Sequence, residues 1–190
     1  MDLTKIQNGD RLLYAGTSFI SKAIIYWMRQ YTKKFTISPS TLTLLNGFVG
    51  SHSGTLFWVN GVLYIYESVD FGYKPDVFTD KYNDESNFLI LRIKGGYTPE
   101  QAKAALAYAM QLVAVSVIYP YWDLIFWIQY ITTGISWMLK WGGTKSEYCF
   151  ESTYRILNHV LPDVFTKDSQ VISFFDLVGD NDIIVIDNRK

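Results

Sequence analysis

Three residues of this chain have side chains that could together carry out acyl-transfer chemistry: Cys149, His52 and Glu67. Cys149 is the single cysteine and lies in SEYCFESTYRIL, residues 146–157. A thiol next to a histidine can act as a nucleophile, and a carboxylate can hold that histidine in place. A lone cysteine is otherwise a small, buried packing residue, so both interpretations are open for Cys149 at this point.

The histidine and the carboxylate lie on two segments that are typical of a β-hairpin. SHSGTLFWV (51–59) and VLYIYESV (62–69) flank Asn60-Gly61, a dipeptide that favours a type I′ turn. This register places Gly54 opposite Glu67 and puts His52 and Glu67 on the same face as diagonal neighbours. The absent side chain of Gly54 leaves space for the carboxylate to reach the imidazole. Such a pair suits a catalytic base, although a structural pair on a strand fits the same pattern.

The cysteine is predicted to lie in the first turn of a helix. Ser146 is a candidate N-cap, and the positive end of the helix dipole favours a thiolate at Cys149. The unpaired N–H groups there can also stabilise an oxyanion. His159 follows ten residues later, roughly 15 Å along the same helix, and we expect it to interact with free carbonyls at the helix end. His52 is therefore the only candidate base for Cys149.

Composition limits the remaining possibilities. The chain has 190 residues, enough for one domain over 1–190, and its net charge of −1 gives no reason to expect nucleic-acid binding. One cysteine cannot form an internal disulfide, and the N-terminus lacks a signal-peptide pattern, which predicts a cytoplasmic protein or one peripheral to a membrane. The few histidines and cysteines, without a phosphate-binding glycine loop, predict no metal and no cofactor.

An apolar segment, residues 104–139, contains a single charge at Asp123. Because polar residues and Pro120 interrupt it, we expect a buried helix or a lipid-contacting surface rather than a membrane span. The aromatic residues between 121 and 141 predict membrane-surface contact, and packing in the core is the alternative.

The remaining patterns predict a mixture of helices and antiparallel strands, an α+β fold. Thr98-Pro99-Glu100-Gln101 has the pattern of a capping box at the start of a helix. The other expected elements are a strand within 8–16, a helix over 18–31, a loop over 36–50, a strand at 88–93, a helix after Ser146 and a strand at 182–187.

Taken together, these motifs resemble a known family. NGDRLL, SFISKAI, SHSG, YESV, PYWD and YCFESTYRIL are similar to the circularly permuted branch of the NlpC/P60 superfamily of papain-like cysteine hydrolases. In that branch the histidine strand precedes the cysteine helix. The resemblance implies a papain-like α+β fold, with a small curved antiparallel sheet packed on the cysteine helix.

The resemblance also implies roles for individual residues. Cys149 matches the nucleophile, His52 the base, Glu67 the residue that orients the base, and Tyr121 a tyrosine that assists the oxyanion site. Trp122 stands where the family usually has aspartate, and Phe150 where it commonly has serine. These two departures leave the catalytic triad intact, but they make the substrate harder to infer from the resemblance.

The sequence therefore predicts a cysteine peptidase or amidase that cleaves peptide-type amide bonds, such as those of cell-wall peptides, through a thioester acyl-enzyme. Two alternatives are open. One is a lipid-directed acyl hydrolase or acyltransferase with the same triad, and the other is an inactive relative that binds a partner or a membrane.

Overall fold

The fold is built on an antiparallel β-sheet. The computed structural model describes residues 1–34, 38–69, 72–82, 86–115, 121–135, 148–163, 169, 172–178 and 182–188, with the backbone alone for 31–34, 121–124, 131, 182–183 and 187–188. Within these residues the strands run in the order β4-β3-β2-β1-β5-β6. They are β1 Arg11–Tyr14, β2 His52–Val59, β3 Val62–Val69, β4 Gly72–Val77, β5 Phe88–Ile93 and β6 Asp182–Asn188.

Helices and one short 3-10 turn, Leu3–Lys5, complete the described structure. The helices are α1 Phe19–Lys34, α2 Pro39–Leu45, α3 Phe78–Lys81, α4 Pro99–Ala114, α5 Tyr121–Thr133, α6 Cys149–Val160 and α7 Phe174–Leu177. This mixture of helices and antiparallel strands confirms the α+β prediction.

The β2–β3 hairpin forms in the predicted register. Val59 lies opposite Val62 and Thr55 opposite Tyr66. Asn60 and Gly61 have φ values of 51° and 79°, as a type I′ turn requires. The predicted helix start is also confirmed, since Thr98 and Gln101 form a capping box at the beginning of α4.

Among the described helices and strands, four were not predicted from the sequence: α2, α3, α7 and β4. The expected loop over 36–50 contains α2, because Ser38 caps the helix and Pro39 occupies its first turn. β4 was not predicted. It is an edge strand, and Pro75 is tolerated there because one side of the strand needs no hydrogen-bond donor.

Apolar side chains cover both faces of the sheet. On one face, residues of β1 and β5 pack with α1, α6 and α7, while α4 packs on Phe57 and Tyr66. On the other face, Phe78 and Tyr82 from the α3 region pack on Leu56, Ile65 and their neighbours. The hairpin therefore lies between two apolar layers.

The apolar segment 104–139 is divided among separate elements. In the described part of the chain, no helix is long and apolar enough to cross a membrane. Trp127 is buried and donates its indole N–H to the Ile172 carbonyl oxygen at 3.0 Å, whereas Ile125 is exposed. Trp137 and Trp141 lie outside the described residues, and so does the side chain of Trp122.

Candidate active site

His52 and Glu67 form a hydrogen-bonded pair, as the hairpin register predicts. His52 Nε2 bonds Glu67 Oε2. The Glu67 side chain is fully buried, and 18% of the His52 side chain remains accessible to solvent. Because Nε2 is engaged by the carboxylate, Nδ1 is the ring nitrogen left for another partner.

Gly54 makes this pairing possible. A Cβ at this position would lie 2.7 Å from Ile65 Cδ1 and 3.1 Å from Glu67 Cβ. Both distances are too short for ordinary packing. Glycine at position 54 therefore provides space for the Glu67 side chain, as the hairpin register predicts.

Glu67 has two further partners, Lys81 and Tyr82, which were not predicted from the sequence. Lys81 Nζ donates to Glu67 Oε1 at 2.5 Å and to Asp76 Oδ2 at 3.1 Å. The Tyr82 hydroxyl donates to Glu67 Oε2 at 2.9 Å. Asp76 lies on β4 and Lys81 in α3, so the unpredicted strand is what brings this lysine to the carboxylate. Unless β4 is predicted, no sequence pattern places Lys81 beside Glu67.

Cys149 is the first residue of α6. The N-cap of α6 is Tyr148, which has an extended backbone and makes no side-chain capping bond. The prediction of Ser146 as the N-cap is therefore wrong, because the helix begins two residues later than expected. Ser146 itself lies outside the described residues. The Cys149 side chain is buried, and its Sγ lies 3.9 Å from the Ser51 carbonyl oxygen. At this first position, the backbone N–H groups of Cys149 and Phe150 have no acceptor within the helix.

A hydroxyl network fixes α6 against β2. Ser53 Oγ donates to the Cys149 carbonyl oxygen at 2.8 Å and lies 3.0 Å from Thr153 Oγ1. Ser152 Oγ donates to the same carbonyl at 3.0 Å. Since Ser53 directly follows His52, these bonds hold the first residue of α6 beside the first residue of β2.

The charges of the site favour an ionised histidine. Burial of the ring opposes its charge, but the thiolate form of Cys149 and the Glu67 carboxylate outweigh this effect and raise the pKa of His52 to about 10. Burial likewise opposes the charge on Glu67, but His52 and Lys81 outweigh it and lower the pKa of this carboxyl to about 2. Burial and the Glu67 charge raise the pKa of Tyr82, so its hydroxyl keeps its proton as a donor. The site therefore favours imidazolium and carboxylate at neutral pH.

The other two predicted residues have different outcomes. His159 lies in the last turn of α6, at the opposite end from Cys149, where its ring stacks on Tyr108 with centroids 4.6 Å apart. Tyr121 begins α5, but its side chain lies outside the described residues, so its predicted role stays a prediction.

Comparison with known proteins gives a likeness of fold. No protein-family model matches the chain, and no curated protein matches it. The chain is similar to the crystal structure of metalloprotein yiiX from Escherichia coli O157:H7, DUF1105, with 18% sequence identity and a TM-score of 0.54. The match covers 83% of this chain and 68% of that one. At this identity the likeness shows a shared fold.

The neighbour's description as a metalloprotein raises the question of a metal here. In the part of this chain that the structure describes, no three His, Cys, Asp or Glu side chains are grouped so that they could hold a metal ion. Glu67, the carboxylate nearest to the thiol–imidazole pair, already accepts from His52, Lys81 and Tyr82. Among the described residues, the donor set around Cys149 does not fit a metal centre.

Proposed function

We propose that this chain is a cysteine hydrolase that cleaves peptide-type amide bonds through Cys149, His52 and Glu67. The observation that carries the proposal is the position of Cys149 at the start of α6, next to an imidazole that a buried carboxylate holds. We also propose that the fold is a circularly permuted papain-like fold of the NlpC/P60 type. The order of histidine strand before cysteine helix and the packing of α6 on β2 support this assignment.

In the first half of the reaction, the Cys149 thiolate attacks the carbonyl carbon and forms a C–S bond. The resulting oxyanion accepts hydrogen bonds from N–H groups at the start of α6, which have no acceptor within the helix. When the tetrahedral intermediate collapses, the C–N bond breaks and the His52 imidazolium gives its proton to the leaving amine. The product of this half is a thioester on Cys149.

In the second half, neutral His52 takes a proton from water as the oxygen attacks the thioester carbonyl. The C–S bond then breaks, the acid leaves, and the thiolate–imidazolium pair is restored. Throughout both halves Glu67 orients the ring through Nε2, so that Nδ1 faces the reacting atoms.

One observation favours a second candidate, a lipid-directed acyl hydrolase or acyltransferase with the same triad. Phe19, at the start of α1, is 87% exposed, and the preceding loop contacts Ser51 through Gly16. An exposed aromatic side chain at this location suits an apolar acyl chain. Hydrolysis of a peptide amide and of a lipid ester by the purified chain would separate the two candidates.

The test of the thiol–histidine pair is the pH dependence of alkylation by iodoacetamide. Because the chain has one cysteine, every labelled molecule reports on Cys149. We expect rapid labelling well below the free-thiol pKa of about 8.5, and a rate lowered about 100-fold at about pH 6 in His52→Ala.

The matched control is His159→Ala, which removes the only other histidine and should leave the rate unchanged. Restricted access to the buried thiol would slow labelling equally at every pH, whereas loss of the pair changes the shape of the profile. A wild-type profile that follows an ordinary thiol would refute the proposal.

A further inference from the structure

The outer face of α1 carries alternating aromatic and basic side chains. Phe19, Lys22, Tyr26 and Arg29 are all exposed and follow the spacing i, i+3, i+7, i+10, which places them along one stripe. Phe19 is 87% and Tyr26 57% accessible to solvent. On the opposite side of the helix, Ile24 and Met28 are buried in the core. The stripe is therefore a surface of a well-anchored helix.

The charge of α1 differs from that of the chain as a whole. Its sequence, FISKAIIYWMRQYTKK, contains basic residues and no acidic one, whereas the formal net charge of the chain is −1. Aromatic side chains at the level of the lipid headgroups, combined with basic side chains, are typical of helices that lie on anionic bilayers. This complementarity favours an anionic lipid surface over an uncharged partner.

The stripe begins beside the candidate active site. The Gly16 N–H donates to Ser51 Oγ at 3.0 Å, and a Cβ on Gly16 would lie 2.4 Å from Ser21 Oγ in the first turn of α1. The Ser51 carbonyl oxygen is in turn 3.9 Å from Cys149 Sγ. The first turn of α1 is therefore connected to the thiol through Gly16 and Ser51.

We infer that α1 docks the protein onto the surface of anionic lipid bilayers, with Phe19 and Tyr26 entering the headgroup region and Lys22 and Arg29 contacting lipid phosphates. This docking goes beyond the proposed hydrolysis and does not require a reactive thiol. The further idea that docking brings Cys149 to an acyl lipid rests on the proposed function.

The experiment is flotation of the purified chain with vesicles of phosphatidylcholine alone or mixed with phosphatidylserine. We expect binding to the mixed vesicles that weakens as salt is added, because the attraction is in part electrostatic. Phe19→Ser should lower the binding constant about tenfold, and Lys22→Gln about fivefold.

Met110→Ser is the matched control. Met110 is an apolar side chain with the same exposed fraction as Tyr26, 57%, but it lies on α4. This variant should bind vesicles as the wild type does. Absence of binding to mixed vesicles, or equal binding by Phe19→Ser and wild type, would overturn the inference and would leave a protein partner as the occupant of the stripe.

Two further measurements separate this result from the fate of the proposed function. Cys149→Ala should float with mixed vesicles as the wild type does, because the thiol takes no part in docking. Phe19→Ser should keep the alkylation profile of Cys149. Docking and thiol reactivity can therefore fail independently of each other.

Discussion

At the scale of single residues, the site is a set of charges that compensate one another. With Cys149 as thiolate and His52 as imidazolium, the charges of Cys149, His52, Glu67 and Lys81 alternate in sign and sum to zero. A buried charge without a partner is strongly destabilising, so each of these groups depends on its neighbours. Lys81 is connected to the thiol–imidazole pair through Glu67, which accepts hydrogen bonds from both Lys81 and His52.

Lys81→Met is expected to reduce thiol reactivity without touching the thiol. Loss of the ammonium leaves Glu67 with one cationic partner and removes a charge that favours the thiolate. We expect the alkylation profile of Cys149 to shift upward by about one pH unit, so that the rate at about pH 6 falls roughly tenfold.

Lys74→Met is the control, because Lys74 pairs with Asp76 at 3.1 Å but not with Glu67. Lys81→Arg should restore most of the rate, since it restores the charge. If Lys81→Met and Lys74→Met have the same alkylation profile, Lys81 has no positioning role.

At the scale of secondary structure, a tight hairpin and a helix start bring the site together. The Asn60-Gly61 turn sets the register of β2 on β3, and this register alone decides that His52 and Glu67 share a face. Ser53, on the opposite face, holds the backbone of Cys149. β2 therefore supplies the base, His52, and its next residue, Ser53, positions the nucleophile Cys149.

Gly54→Ala tests this arrangement. The added Cβ would press on Ile65 and on Glu67 Cβ, and we expect a loss of about 1–3 kcal/mol in the free energy of unfolding, with slower alkylation at low pH. Urea denaturation and iodoacetamide labelling measure the two effects.

Ile65→Ala in the same chain removes both Cδ1 and Cγ1, the two Ile65 atoms that the new Cβ would meet at 2.7 Å, so the double variant should lose less stability than the two single losses added together. A Gly54→Ala protein with unchanged unfolding and labelling would show that the close packing at this position is not required.

At the scale of the whole molecule, the ionised site links stability to pH. Glu67 has a folded pKa of about 2 against an ordinary 4.5, so its contribution is present above about pH 4.5 and is lost as the pH falls towards 2. His52 has a folded pKa of about 10 against 6.5, so its contribution is present below about pH 6.5 and is lost as the pH rises through 10. Stability from this pair should be greatest between about pH 4.5 and 6.5.

Glu67→Gln should weaken the fall in the free energy of unfolding below about pH 4.5, because the variant lacks the carboxyl group that titrates there. It should also lower the free energy of unfolding near neutral pH by about 3 kcal/mol, because it leaves His52 and Lys81 without their shared anion. Urea titrations across the pH range measure both effects. If the free energy of unfolding falls equally steeply at low pH in the variant and in the wild type, Glu67 is not the group that links stability to pH there.

The sequence predicts those parts of the site that depend on local rules. Two-residue turns fix hairpin register and capping residues fix helix starts, so the His52–Glu67 pair and the start of α4 could be derived. Lys81 could not, because it reaches Glu67 through an edge strand that contains a proline and has weak strand character. Ser53 could not either, because its bond to Cys149 spans 96 residues of chain.

The hairpin has a consequence for the order in which the protein is made and folds. His52 and Glu67 are 15 residues apart, so their strands can pair within microseconds, whereas Cys149 reaches them only through long-range packing of α6. During synthesis the chain emerges from its N-terminus, so the histidine and carboxylate precede the cysteine. Cys149 therefore gains its charged neighbour only once α6 packs on β2, after the hairpin that carries His52 and Glu67 has left the ribosome.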